Sequence, residues 1–129
     1  MAKKCISTDK APQAIGPYSQ ATVVETGKLI FCSGQIAIDP ESNKLVDGGV
    51  AAQTDRVLQN LEAVLIAAGS KFENVVKTTV FLKNIDDFEE MNRVYNRYFA
   101  EYRPARATVE VARLPRDVDV EIEAIAYVD

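Results

Sequence analysis

The sequence predicts an α+β fold in which two helices pack together on one face of a mixed β-sheet. Two stretches with apolar residues at helical spacing alternate with stretches rich in β-branched residues, in the order β-β-α-β-α-β-β. Glycine or proline follows both helical stretches, as is usual where helices end. The length of 129 residues and the hydrophobic content of 47% suit a single domain, residues 1–129, with its own core.

The first third of the chain is predicted to contain a β-hairpin within residues 21–38. Its strands are residues 23–25 and 29–32, and Gly27 between them supplies the turn. Gly34 interrupts the second strand, which indicates a bulge or a close approach of another backbone. A loop rich in Asp, Asn and Gly comes next, at residues 39–49, and an extra short strand can precede the hairpin.

Two amphipathic helices are predicted in the middle of the chain. The first covers residues 50–68 and ends at Gly69, because glycine tolerates the left-handed conformation common after helices. A strand dense in β-branched residues follows at 75–83. The second helix covers about residues 86–102 and ends before Pro104. The positions expected to be buried are Val57, Leu58, Leu61, Val64, Leu65 and Ala68 in the first helix, and Phe88, Met91, Tyr95, Tyr98 and Phe99 in the second.

The last two strands, residues 105–113 and 118–128, alternate between polar and apolar side chains. We expect their apolar rows to meet the helices. The face opposite the helices either meets water or is partly covered, and Ile125 and Tyr127 favour partial cover by another subunit because they continue its polar row. The polar side chains expected to share this face are Arg106, Thr108, Glu121 and Glu123.

Two residues of this predicted face, Arg106 and Glu121, have an evident chemistry. An arginine can hold a carboxylate through two parallel hydrogen bonds, and a glutamate nearby can hold or activate a water molecule. The same two side chains can also form a structural ion pair across strands. Sequence spacing alone leaves both interpretations open.

Composition and charge exclude several kinds of chemistry. The sequence has no histidine, so no imidazole is available to activate a serine or cysteine nucleophile or to bind a metal. The net charge of −4 disfavours nucleic acid as a partner. No signal peptide or apolar run of membrane-spanning length is present, and the spacing of Cys5 and Cys32 suggests no metal site. We therefore expect a cytoplasmic protein with reduced cysteines and no membrane partner.

The C-terminal third contains the segment PARATVEVARLP, residues 104–115, followed by VEIEA at residues 120–124. Together these segments resemble the RidA/YjgF family, and residues 14–20, 31–36 and 88–92 fit the same family, so the resemblance extends over nearly the whole chain. It implies a chorismate-mutase-like (YjgF) fold. It also implies a homotrimer in which three sheets join into a trimeric barrel, with ligand clefts at the subunit interfaces.

The resemblance further implies a deaminase that uses no metal or other cofactor. RidA-type members hydrolyse 2-aminoacrylate and related 2-imino and 2-enamino acids, which leak from pyridoxal-phosphate enzymes, to 2-oxo acids and ammonia. By this resemblance Arg106 would bind the substrate carboxylate and Glu121 would position the attacking water. Tyr18 would line the cleft and assist proton transfer. The other substrate-binding residues that the resemblance implies are Ser33, Gly34, Asn92 and Thr108.

Several of these residues also have simpler interpretations. Many bacterial relatives carry cysteine at position 108, so Thr108 argues against a thiol role there, and threonine also suits a strand. Tyr18 is equally suited to packing within a loop, and Gly34 to a bulge without function. Asn92 can serve as a helix cap or face solvent. Cys32 is expected in the core, because no base is evident near it.

Two other functions remain compatible with parts of the pattern. A non-catalytic module could use Arg106 to bind 2-oxo acids or other small carboxylates. An RNA-directed activity has been attributed to some relatives, but the acidic balance of 19 Asp and Glu against 15 Lys and Arg disfavours it, as does the absence of histidine.

Overall fold

The computed structural model describes residues 2–129 of the chain. Its strands and helices are β1 (Lys3–Ile6), β2 (Ala21–Val24), β3 (Leu29–Gln35), β4 (Ile38–Asp39), β5 (Lys44–Leu45), α1 (Val50–Ala67), β6 (Val75–Leu82), α2 (Phe88–Phe99), β7 (Ala105–Glu110) and β8 (Val120–Tyr127). Short 3₁₀ turns lie at Phe72–Asn74, Ile85–Asp87 and Pro115–Asp117. Within residues 2–129 neither helix is long and apolar enough to cross a membrane.

Four strands form one mixed sheet in the order β3–β8–β6–β7. β8 is antiparallel to both of its neighbours, whereas β6 and β7 are parallel because α2 carries the chain back across the sheet between them. The predicted mixed sheet and α+β class are therefore confirmed. However, β6 separates β7 from β8, so the last two strands of the chain do not pair with each other.

Both helices lie on one face of the sheet, as predicted, and enclose the core with it. α1 packs against α2 and against β8 and β3. Burying each large apolar side chain here stabilises the fold by roughly 1.5–3 kcal/mol. The largest fully buried side chains from the helices are Leu58, Leu61, Leu65, Met91, Tyr95 and Phe99, and those from the strands include Val80, Leu82 and Ile122.

The buried face of α1 is narrower than predicted. Val64 is 36% exposed, and Ala68 lies exposed just after the helix, because the surface of α1 that packs on the core is a stripe of limited width. Gly69 has a φ of +84°, which confirms its predicted role at the helix end. The predicted positions that are buried are Val57, Leu58, Leu61 and Leu65.

The second helix is shorter at both ends than predicted. Asn84 caps a 3₁₀ turn, where its side chain accepts a hydrogen bond from the Asp86 N–H at 2.9 Å, and α2 begins only at Phe88. After Phe99 the chain leaves the helix through Arg103, which has a φ of +46°. Arg103 precedes proline, which disfavours helical geometry in the residue before it.

The hairpin predicted within residues 21–38 is wrong. β2 pairs with β1, which confirms the extra N-terminal strand, whereas β3 pairs with β8. Gly27 lacks the positive φ that a tight hairpin turn would use. The chain therefore forms no hairpin at Gly27, and β2 and β3 lie in different sheets. Thr22 then fixes β2 beside β6, because its hydroxyl donates to the Val76 carbonyl at 2.7 Å. The loop predicted at residues 39–49 includes the short pairing of β4 with β5.

Tyr98 ties the two helices together, and its titration predicts a loss of stability in alkali. Its hydroxyl donates to Asp55 Oδ1 on α1 at 2.5 Å. Burial, followed by this hydrogen bond, raises the pKa of Tyr98 from 10.0 to about 12. The folded state holds the Tyr98 proton more tightly than the unfolded chain does. The resulting contribution to the free energy of unfolding is therefore complete below the unfolded pKa, and it is lost as the pH rises through the folded pKa.

We therefore expect the urea midpoint of unfolding to fall between about pH 10 and about pH 12. Replacing Tyr98 by phenylalanine should make that fall shallower, while the same exchange at the half-buried Tyr102 serves as the control. Unfolding followed by circular dichroism at several alkaline pH values measures the slope. An identical slope in Tyr98→Phe and the wild type would contradict this role.

Candidate functional site

The structure places Arg106 and Thr108 on the helix side of the sheet. In the register of β6 and β7, Arg106 lies opposite Thr78 and Thr108 lies opposite Val80, and both partners on β6 are buried under the helices. The alternate residue Val109 is 42% exposed on the other face. The predicted orientation of this strand is therefore wrong, since its polar row and not its apolar row faces the helices.

The position of β7 at the edge of the sheet explains this inversion. Side chains on the helix side of an edge strand reach the margin of the core, where a polar group can find partners on α2. The opposite face of the sheet also carries exposed apolar side chains, since Phe31 and Leu29 of β3 are 72% and 48% exposed there. An apolar row on β7 is therefore compatible with that open face.

The prediction for β8 is confirmed. Val120, Ile122 and Ala124 are buried under the helices, so Glu121 and Glu123 lie on the open face. Arg106 and Glu121 are consequently on opposite faces, with β6 between their strands. Within one chain this arrangement excludes both the shared polar face and the cross-strand ion pair.

Arg106 is surrounded by aromatic rings, and we call this group the Arg106 cluster. Its Cζ lies 4.8 Å from the ring centroid of Tyr95, 5.2 Å from that of Tyr18 and 5.5 Å from that of Phe88. Its Nη1 donates a hydrogen bond to Asn92 Oδ1 at 2.6 Å. The members of the cluster are Tyr18, Phe88, Asn92, Tyr95, Arg106 and Thr108.

Two parts of the chain bring these residues together. Phe88, Asn92 and Tyr95 are four and then three residues apart in α2, so they lie on one face of that helix. Tyr18 comes from the loop before β2, where its N–H donates to the Gly16 carbonyl at 2.7 Å. The next residue, Ser19, forms a parallel bridge with Ala105 at the start of β7. Tyr18 is therefore held beside the strand that carries Arg106.

The charge of Arg106 has no acidic partner in this cluster. The ion pairs among the described residues are Lys71–Glu73 and Arg113–Asp117, both at exposed positions. Burial lowers the pKa of Arg106, although a guanidinium keeps its proton at any physiological pH. A half-buried cation that meets only rings and one neutral amide still has N–H groups to donate. The cluster is thus suited to bind an anion, above all a planar carboxylate.

Thr108 adds a hydroxyl next to this anion site. It lies two residues from Arg106 on the same face of β7. Its Oγ1 is buried and has no hydrogen-bond partner within residues 2–129. Because an unpaired buried hydroxyl destabilises a fold, Thr108 has an unused capacity to hydrogen-bond a ligand.

Replacing Thr108 by valine is expected to raise the free energy of unfolding by about 1 kcal/mol, since the unpaired hydroxyl is removed and the shape is kept. The same change should weaken binding of a carboxylate ligand. Urea unfolding and calorimetric titration with 2-oxobutanoate measure the two effects. Thr79→Val, on the neighbouring strand but on the open face, is the control. A less stable Thr108→Val protein would show that the hydroxyl does have a partner.

A second group, the Glu121 cluster, consists of Ser33, Gly34 and Glu121. The pairing of β3 with β8 shifts between Cys32 and Gln35, so the predicted bulge is confirmed. A Cβ atom built on Gly34 would lie only 2.0 Å from Glu121 Oε2. Only glycine lets the carboxylate lie this close to the bulge. Ser33, beside it, is exposed.

The structure therefore brings the sequence-predicted site residues together as two groups. Tyr18, Asn92, Arg106 and Thr108 form one group, and the Glu121 cluster forms the other. A surface pocket of about 220 Å³ borders Tyr18, but it is lined by the N-terminal loop and Arg103 and does not include Arg106. No cluster of three or more metal-binding side chains occurs within residues 2–129.

Sequence reasoning missed two partners of Arg106. It assigned Phe88 and Tyr95 to the core, whereas both rings also contact the guanidinium. Their spacing from Asn92 along α2 is the signal that could have found them. Once one residue of a helix is assigned to a site, its neighbours three and four positions away share that face.

A sequence model of the family described as endoribonuclease L-PSP matches residues 8–128. Among curated relatives, a RutC family protein of Pyrococcus abyssi is 54% identical, with 98% of both chains covered. The human 2-iminobutanoate/2-iminopropanoate deaminase is 52% identical over 96% of this chain and 89% of its own.

Solved structures of similar proteins match this chain over the same length. A Thermotoga maritima protein is 54% identical over 98% of both chains, with a TM-score of 0.78. Escherichia coli TdcF, whose crystal structure contains bound serine, is 42% identical over 98% of this chain and 99% of its own, with a TM-score of 0.75. Similarity in both sequence and structure thus extends over nearly the whole length.

Proposed function

Because the chain belongs to the endoribonuclease L-PSP family, whose relatives include RutC, RidA and deaminase proteins, we propose that it is a hydrolytic deaminase. Its substrates are reactive 2-imino and 2-enamino acids of the 2-aminoacrylate type, and its products are 2-oxo acids and ammonia. In this proposal it acts in the cytoplasm, where it removes reactive intermediates that pyridoxal-phosphate enzymes release.

The observation that carries this proposal is the unpaired charge of Arg106. A half-buried guanidinium without a carboxylate partner is suited to bind the carboxylate of a small organic acid through two hydrogen bonds. A single guanidinium balances one negative charge, which suits an organic monoanion better than a multiply charged phosphate. The serine bound to TdcF also carries a carboxylate, and the human relative is named for substrates that do.

The opposite orientation of the two clusters supports a site formed by two subunits. Because Arg106 and Glu121 lie on different faces of one sheet, the Glu121 that completes the cleft would come from a neighbouring copy. The open face of the sheet exposes large apolar side chains on both of its edge strands, and exposed apolar surface of this kind is typical of an interface. We propose that three such faces join in a chorismate-mutase-like trimeric barrel. The exposed residues are Leu29, Phe31 and Val109.

The proposed mechanism needs only side chains and water. Arg106 holds the substrate carboxylate, Asn92 and Thr108 line the site, and Glu121 directs a water molecule at the imine carbon. The water oxygen bonds to that carbon, and Glu121 accepts a water proton and passes it to the nitrogen as the C=N double bond becomes single. The proton of the new hydroxyl then reaches the nitrogen by the same route, and the C–N bond breaks. Collapse of the tetrahedral intermediate forms the C=O bond and releases ammonia. Such positioning and proton transfer can contribute about 10²–10⁴-fold in rate.

An enamine substrate needs one earlier step, in which its β-carbon gains a proton and its nitrogen loses one, so that the imine forms. Tyr18 lies against Arg106 at the edge of the cluster, so its hydroxyl is the group we propose to pass this proton. Ser33 and Gly34 border the cleft from the other side. Water then attacks the resulting imine as before.

The test couples a threonine dehydratase to the purified full chain and follows the rate of 2-oxobutanoate release. Acceleration in proportion to the amount of the chain supports the deaminase. If release is not accelerated but calorimetry detects binding of 2-oxobutanoate, the site is instead a non-catalytic module for 2-oxo acids. Cleavage of RNA, or RNA binding that weakens steeply with salt, would favour the activity for which the family is named.

A further inference from the structure

We propose that Tyr95 is a positioning residue, whose ring serves as the platform that orients the Arg106 guanidinium toward its ligand. This inference rests on the proposed function, because it concerns the same anion site. It goes beyond that function in assigning a role to a tyrosine that no ligand in the cleft has to touch.

Three observations separate Tyr95 from the other rings around Arg106. Its centroid is the nearest of the three, at 4.8 Å from Arg106 Cζ. Tyr95 is fully buried, whereas Tyr18 and Phe88 are only half-buried. Its ring also packs on Phe99, with centroids 4.6 Å apart. Tyr95 therefore offers Arg106 a fixed surface, while the other two rings lie at the margin.

The hydroxyl of Tyr95 already has a hydrogen-bond partner on β6. It forms a hydrogen bond of 2.7 Å with Thr78 Oγ1, and Thr78 is itself buried. Thr78 is also the register partner of Arg106 on the adjacent strand. The ring is thus anchored to β6 next to the residue that it supports. Burial raises the pKa of Tyr95 to about 12, so its hydroxyl stays protonated.

Asn92 and Tyr95 divide the task of holding the guanidinium. The amide oxygen of Asn92 accepts a hydrogen bond from Arg106 Nη1 at the edge of the guanidinium. The ring of Tyr95 packs on one face of the guanidinium through a cation–π contact. The two residues are three positions apart on α2 and therefore lie on the same face of the helix. The N–H groups that remain are left for the substrate carboxylate. Because the arginine side chain is already held in place, it loses less conformational entropy when the ligand binds.

The test compares Tyr95→Phe with Tyr95→Leu in the full chain, using imino acid hydrolysis and binding of 2-oxobutanoate. If the ring is the platform, Tyr95→Phe should change KM and Kd by less than about twofold. Tyr95→Leu should raise both by about tenfold while kcat changes little. If the hydroxyl of Tyr95 were the important group, Tyr95→Phe would show the same increase in KM and Kd as Tyr95→Leu. Tyr98→Leu, on the same helix but bonded to α1, is the control for general damage to the fold.

Tyr95→Leu can fail to fold because the residue lies in the core, so a third variant keeps the test decisive. Pentafluorophenylalanine at position 95 keeps the ring shape but reverses the charge of its face. It should raise KM and Kd relative to Tyr95→Phe. Equal values for these two variants, or a Tyr95→Phe protein that binds as poorly as Tyr95→Leu, would overturn the inference. A wild type that neither hydrolyses imines nor binds 2-oxobutanoate would instead overturn the proposed function.

Discussion

Replacing Arg106 by alanine is expected to lower kcat/KM for imino acid hydrolysis by about 10²–10³-fold. Removal of one partner from a buried, charge-assisted hydrogen-bonded pair typically costs about 2–5 kcal/mol. In this chain the carboxylate of the substrate would be that partner, since Arg106 has no acidic residue of its own. The measurement is the rate of 2-oxobutanoate release in the coupled dehydratase assay, together with the Kd for 2-oxobutanoate.

Two further variants show whether the loss in Arg106→Ala is specific to this guanidinium. Arg106→Lys keeps the charge but loses the planar pair of donors, so it should recover only part of the activity. Arg113→Ala removes an arginine from an exposed ion pair elsewhere in the chain and should behave as the wild type. Full activity in Arg106→Ala would show that the Arg106 cluster does not bind the substrate.

The second large effect is expected from Glu121→Gln, which should lower kcat by about 10²-fold or more and change KM little. Glutamine keeps the size and a hydrogen-bonding oxygen but cannot accept the proton of the attacking water. Glu123→Gln is a matched control, because Glu123 is two residues further along the same face of β8. Steady-state kinetics of the three proteins separates kcat from KM. A Glu123→Gln protein as impaired as Glu121→Gln would show a general effect of charge on this face.

Gly34 provides an independent test of the same carboxylate. An added methyl group would collide with Glu121 Oε2, so Gly34→Ala should displace the carboxylate without removing it. The expected result is a loss of kcat that is smaller than in Glu121→Gln. Gly27→Ala, where an added Cβ meets nothing within 4 Å, is the control. Unchanged kcat in Gly34→Ala would mean that the position of Glu121 is not critical.

The sequence predicted the elements well and their spatial arrangement less well. Periodicity located both helices and the central strands, because burial imposes a repeat of 3.6 or 2 residues on any amphipathic element. The same repeat in β7 could not reveal which row faces inward. At the edge of the sheet the polar row of Arg106 and Thr108 meets α2, while the open face accepts Val109. A period of two defines two faces but assigns neither of them to the core.

The failed hairpin has a different cause. Residues 21–38 contain two good strands and a glycine between them, and local rules alone favour pairing them. β3 instead pairs with a strand about ninety residues later in the chain, and local turn signals contain nothing about such distant partners. The division of the predicted site into two clusters follows from the same limit. Motif residues carry no information about the face of the sheet on which each will lie.

The place of β8 in the sheet has a consequence for how the protein is made. β8 lies between β3 and β6, yet it follows every other strand in chain order. On the ribosome, β3 has no partner in this sheet, and α1 lacks one of the two strands on which it packs, until β8 has left the exit tunnel. Since closing such long loops is slow compared with local pairing, the sheet should be completed last, once β8 has left the ribosome. Nascent chains that lack β8 would expose an apolar strand edge and are natural targets for chaperones.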